Sequence, residues 1–309
     1  MKMQGHEPYI AIKESTSDAA ADLENLRATK ELRTKHLIKA IATFQRGQRY
    51  HFMFPWADGG NLREFWENED PHPLTAELIA WALQQLSGLA EALRALHNFG
   101  SHRFGRHGDI KPENILLFRH INDTTADKRG TLQFADLGLA KFHDTVTSER
   151  RASTVTMSGT RMYEPPETEI HQKTPRSRKY DIWSMGCVLL EFSIWLLYGM
   201  NEVERFRDQR RDDLFRIESQ VESHKFYIVT ESRNGKLPMA EVHPEVCRRM
   251  IEIRKDSRCE DDTALQDLLA IIDTCLRVEV DDRADSTALH ERLRDIVRKA
   301  ESEPSYLFH

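Results

Sequence analysis

Apolar and polar residues alternate in short bursts near the start of the chain and recur at helical spacing later, so strands are expected to precede long helices. YIAIK at 9–13 reads as a strand, and 18–33 as a helix with Leu23, Leu26 and Leu32 on one side. RYHFMFPW at 49–56 reads as an aromatic-rich strand stopped by Pro55. ADGGNL at 57–62 breaks the pattern with Gly59 and Gly60, which read as a flexible connector between lobes. From Thr75, a capping residue, apolar positions recur at Leu78, Ala82, Leu86, Leu89, Leu93 and Leu96, with Gly100 as a stop signal. NILLF and TLQFAD read as short strands on either side of the polar INDTTADKRG. Beyond 175 the pattern is mostly helical, and the charged stretch 202–213 reads as a solvated face.

One run changes the picture most. Residues 182–200, IWSMGCVLLEFSIWLLYGM, are nearly long enough to cross a bilayer, with Glu191 as the single acid. An acid near a membrane-helix centre costs about 2.5–3.5 kcal/mol. A helix apolar on every side can instead be buried within a large domain, and a buried helix is expected for this run.

With 309 residues and 39% hydrophobic content, the chain can build one large domain or two lobes. A net charge of −6 supplies no global basic field, which argues against nucleic acid or an anionic membrane as partner. Cys187, Cys247, Cys259 and Cys275 form no CxxC pair and no secretory signal is recognisable, so reduced thiols in the cytoplasm, or in the nucleus, are expected.

The chemistry concentrates in RHGDIKPENILL at 106–117, where Asp109, Lys111 and Asn114 fall within six residues. Phosphoryl transfer needs this kind of set: a carboxylate to orient an acceptor, a cation for the moving phosphoryl group and hard oxygens for a metal ion. Plainer readings compete. Lys13 at a strand end can snorkel to water, and Asp136 with Gly138 can form an ordinary turn. His97, His102 and His107 are spaced by five and share no helical face, so a metal site there is disfavoured.

Taken in order, YIAIK resembles the V-A-I-K strand of protein kinases, HGDIKPEN resembles H-R-D-L-x-x-x-N, and ADLG resembles D-F-G. GTRMYEPPE and DIWSMGCVLLE resemble the A-P-E segment and the central helix that follow. Across residues 9–283 the chain resembles a eukaryotic-type Ser/Thr protein kinase domain, most like those of fungi. The resemblance implies an α+β, two-lobed kinase fold with an incomplete small N-lobe at 1–56, a hinge at 57–61, a mostly helical C-lobe at 62–300 and a tail at 301–309. It implies ATP and Mg²⁺ as cofactors, with Asp109 as catalytic base, Lys111 as a catalytic cation, Asn114 and Asp136 as metal ligands and Lys13 on the nucleotide phosphates. It further implies Glu24 as partner of Lys13, Phe54 as gate of the adenine pocket and Ala57 as hinge donor, since Pro55 has no N–H. Asp181 would brace the catalytic loop, Glu167 would pair with Arg283, and Thr160 would belong to the substrate platform.

Small-molecule kinases of the aminoglycoside and choline type also carry HGD followed by Asn, but without Lys111 in this setting or segments like GTRMYEPPE and DIWSMG. Departures from the kinase pattern matter as well. Twelve residues precede Lys13 and only Gly5 among them is glycine, so a shortened chain lacking the glycine-rich loop and the first two strands is expected, with YIAIK left at a sheet edge. That expectation sustains a rival function, a pseudokinase acting as an interaction module. Leu137 stands in place of Phe, a swap of apolar side chains, and Gly108 in place of Arg, which removes the usual receptor of a phosphorylated activation segment. Thr145, Thr147, Ser148, Ser153, Thr154, Thr156 and Ser158 populate that segment, and the expectation is activity that does not depend on their phosphorylation.

Overall fold

The computed structural model describes residues 9–15, 23, 29–99, 105–119, 129–136, 161–170, 176–211, 224–230, 238–260 and 262–308. Three strands form the small lobe: β1 Ile10–Ser15, β2 Ala42–Arg46 and β3 Arg49–Pro55, antiparallel in the order β1-β3-β2. In this register Ala11 pairs with Phe54 and Lys13 with Phe52, so all four stand on one face of the pleat. Phe52 and Ala40 make a small core with Leu23, Tyr50 and Phe54 packed against it. Strand β2 is absent from the sequence reading because four of its five positions are exposed and its alternation is weak.

The lobes are joined through backbone. Ile38 N–H donates to the Phe134 carbonyl at 2.9 Å, and Phe134 N–H donates to His36 at 2.9 Å, in β5 Thr131–Phe134, which pairs with β4 Ile115–Phe118. Gly59 and Gly60 are part of this junction and no flexible connector. Gly59 N–H donates to Leu117 at 3.0 Å and Leu117 N–H to Gly60 at 2.8 Å. A Cβ on Gly59 would lie 2.6 Å from the Leu117 side chain, and Gly60 adopts φ +71°. Asn61 then caps helix α1, Leu62–Asn68, in a reciprocal box with Glu64.

His36 is sealed inside the junction, so close to the second helix that a Cβ on Gly88 would lie 2.0 Å from its Nε2. Its Nδ1 donates to the Leu132 carbonyl at 2.7 Å. Burial outweighs that bond and lowers its pKa from 6.5 to about 4. Between those values an unfolded chain takes up a proton that the folded chain refuses, so stability falls as pH falls. Lowering the pH from 7 to 5 is expected to cost wild type about 2 kcal/mol more than a His36→Gln variant in urea unfolding. Equal losses in the two proteins would remove His36 as the cause.

The large lobe is built on helices α2 Ala76–His97, α3 Glu167–Ile170, α4 Lys179–Tyr198, α5 Met200–Gln209, α6 Pro244–Arg254, α7 Ala264–Cys275 and α8 Ser286–Ser302. Helix α2 starts at Thr75, whose hydroxyl accepts from Leu78 N–H at 3.2 Å. Helix α4 covers most of the bilayer-length run; it is long and apolar enough to cross a membrane, and its apolar stretch from Tyr180 to Leu197 is buried in this lobe. Gly186 lets α7 approach, since a Cβ there would lie 2.6 Å from the Cys275 Cβ. The region read as mostly helical also holds a hairpin, β6 Tyr227–Thr230 with β7 Met239–Val242. Of the stretch read as a tail at 301–309, the described residues 301–308 are docked, with Tyr306 and Leu307 buried in the main core.

Candidate active site

A cleft of about 460 Å³ opens between the lobes. Its wall is largely apolar, with Ala11, Phe54, Ala57 and Leu116 around it and Lys13 and Asp136 at its polar end. Phe54 packs with Ile38, Phe118 and Ala135, which fixes it beside the cleft.

Below the cleft runs the HGDIKPEN loop. Its shape is imposed by Asp181 near the start of α4, fully buried. The carboxylate accepts from His107 N–H at 2.8 Å, Gly108 N–H at 2.9 Å and His97 Nε2 at 2.8 Å. Burial opposes its charge, but the His97 bond and the fields of His97 and Arg106 hold its pKa below the ordinary value. His107 is also buried, and burial lowers its pKa. A neutral ring fits its contacts: Nε2 donates to the Ala135 carbonyl at 2.9 Å and Nδ1 accepts from Asp109 N–H at 3.3 Å.

Gly108 adopts φ +85°, a left-handed conformation that costs an L side chain about 1–2 kcal/mol. Gly108→Ala is expected to lose about that much stability in urea unfolding. An alanine variant as stable as wild type would refute the backbone account.

The three charged and polar members of the loop converge. Lys111 Nζ stands 2.9 Å from Asp109 Oδ2. Asn114 Nδ2 donates to the same oxygen at 2.9 Å and to the Asp109 carbonyl at 2.9 Å. The Asn114 carbonyl accepts from Ala135 N–H at 2.8 Å, which places Asp136 next in the chain. Asp136 itself has φ +54°, a conformation non-glycine residues hold only when their surroundings require it. Its Oδ1 forms an ion pair with Lys13 Nζ, and both side chains are about half exposed, 49% and 44%, so a ligand in the cleft can reach either.

With Nδ2 spent on Asp109, the Asn114 amide keeps Oδ1 as a hard oxygen, and the Ala135–Asn114 backbone bond brings the residue before Asp136 to the same turn. That donor set fits Mg²⁺, which typically takes one or two protein oxygens and completes its shell with water and phosphate. No group of three or more His, Cys, Asp and Glu suited to a metal occurs among the described residues.

Glu167 and Arg283 meet in a two-pronged pair, with NH1 and NH2 each donating at 2.9 Å. Glu24, Thr160, His102, Leu137, Gly138 and the Ser and Thr residues at 145–158 lie outside the described residues.

A second network sits beside the loop and is absent from the sequence reading. Arg63 of α1 donates from Nε to Glu113 at 3.3 Å and from NH2 to the Tyr163 hydroxyl at 2.8 Å and to Glu191 at 3.3 Å. Tyr163 donates to Glu191 at 2.8 Å, and Arg210 reaches the other Glu191 oxygen at 3.3 Å. Burial raises the Tyr163 pKa and keeps its proton on oxygen. Arg210 is fully buried between the Phe206 and Phe226 rings, so the charged stretch 202–213 is no simple solvated face. The available signal was Glu191 itself, an acid in an apolar helix that needs a counter-charge.

Comparison with known proteins agrees with this geometry. The chain is 33% identical over 169 residues to cyclin-dependent kinase-like 1 of Caenorhabditis elegans, covering 55% of this chain and 41% of that protein. It is 30% identical over 186 residues to the serine/threonine-protein kinase stk11 homolog of Dictyostelium discoideum, 59% and 28% respectively. It is 28% identical over 177 residues to CTD kinase subunit alpha of Schizosaccharomyces pombe, 55% and 25%. The matches thus span less than half the length of these relatives. The protein kinase domain family matches residues 2–292, and the chain belongs to that family.

Proposed function

We propose that the protein transfers the γ-phosphoryl group of ATP to Ser or Thr hydroxyls of protein substrates. The observation that carries this is the convergence of Lys111 and Asn114 on the Asp109 carboxylate, below a cleft whose polar end holds Lys13 and Asp136. Kinases named as acting on serine and threonine are among its relatives.

In this reading the apolar wall holds the base of the nucleotide beside Phe54 and Ala57. Lys13 leaves Asp136 for the α- and β-phosphates, which it meets as a point charge. Asn114 and Asp136 would hold Mg²⁺, which when bound would neutralise phosphate charge. Asp109 orients the acceptor hydroxyl and takes its proton, and Lys111 balances charge on the phosphoryl oxygens. Asp181 keeps the loop in register.

The Lys13–Asp136 pair also favours a second reading. With these two groups satisfying one another, a domain that does no chemistry and serves as an interaction module has the same polar end to its cleft. Transfer of labelled phosphate from ATP to casein, with and without Mg²⁺ and beside Asp109→Asn, separates the two. Transfer at the level of the Asp109→Asn control would leave the interaction module standing.

A further inference from the structure

Arg63 stands where three separate parts of the chain meet. Its side chain is only 12% exposed. On one side is Glu113, inside the Pro112–Asn114 turn that also supplies Asn114. On the other is Tyr163, four residues ahead of the Glu167 anchor, with its carbonyl held by the Ser184 hydroxyl at 2.8 Å. Behind both lies Glu191 of α4. A planar guanidinium can serve three such acceptors at fixed angles, whereas an ammonium is a point charge without that geometry.

We propose that Arg63 is a positioning residue that locks the Tyr163 segment to the Glu113–Asn114 turn, so that an acceptor held by the first is presented to Asp109 above the second. The proposal rests on the kinase reading for its functional consequence, and on the contacts alone for the lock. Its effect falls on the protein substrate. Arg63 does not line the cleft, so nucleotide binding is left largely alone.

The lock is read by amide hydrogen exchange, which needs no activity. Arg63→Met is expected to speed exchange about tenfold in 109–114 and 161–167 while α2 stays protected. Unchanged exchange at 161–167 would overturn the lock. If Arg63→Met loses protection throughout, α2 included, Glu113→Gln decides, since Glu113 is about half exposed and its change spares the core: faster exchange at 161–167 upholds the lock and unchanged exchange ends it.

Kinetics read the consequence. Arg63→Met is expected to raise the KM for a protein substrate about tenfold with the KM for ATP within about twofold. Arg63→Lys restores little, and Glu113→Gln adds nothing in the Arg63→Met background. Equal rises in both KM values, or additive effects of the two substitutions, would overturn positioning. A wild-type chain that transfers no phosphate while Arg63→Met still loosens 161–167 would end the kinase reading and leave the lock in place.

Discussion

Asp109→Asn is expected to lower phosphate transfer by about 10²–10⁴-fold, the usual contribution of a positioned general base, with ATP affinity within about twofold. The amide keeps the size of the carboxylate but accepts no proton and carries no charge for Lys111, 2.9 Å away. It also confronts Asn114 Nδ2, which donates to the carboxylate at 2.9 Å, with one oxygen where there were two. Lys13, Phe54 and Ala57 are untouched, so nucleotide binding has no reason to change. Steady-state transfer to a protein substrate, together with titration of ATP, checks both halves. A variant retaining more than about a tenth of wild-type turnover would remove Asp109 from the role of base.

Arg210→Met is expected to destabilise the protein by about 3–5 kcal/mol, because it strips one partner from a buried ion pair. Arg210 and Glu191 are both fully buried. Methionine can fill the slot between Phe206 and Phe226, so the loss reports the stranded Glu191 carboxylate more than a cavity. Arg63 and Tyr163 still hold Glu191 Oε2, whereas the oxygen facing Arg210 loses that partner. Adding Glu191→Gln should therefore recover part of the loss, with a coupling of about 1–3 kcal/mol in a double-mutant cycle followed by urea unfolding. Strict additivity would show that the two charges do not depend on one another.

What could be read in the sequence follows from distance along the chain. Helix α2 announces itself through Thr75 and a regular apolar stripe. Asp109, Lys111 and Asn114 stand out because they fall within six residues, and their convergence needs only one turn of chain. Lys13 and Asp136 are 123 residues apart, and only the motif order suggested that they share a cleft. Arg210 could not be singled out, because a buried arginine and its solvated neighbours look alike in a charged run. Hairpin β6/β7 has short strands inside a helical region and gave no period to detect. Gly108 was read through the charge it lacks; its φ adds a backbone reason that no pattern of side chains displays.

The bracing of the HGDIKPEN loop by Asp181 has a consequence for synthesis. His107 and its acceptor are separated by 74 residues. At about 5–20 residues per second on a ribosome, the loop is made about 4–15 s before the carboxylate that shapes it. During that interval the backbone donors of His107 and Gly108 can face only water or the wrong partner. The small lobe can pair its strands early, but the loop joins the fold late, when α4 docks. A chain released or stalled before residue 181 would carry every loop residue and none of the loop's geometry.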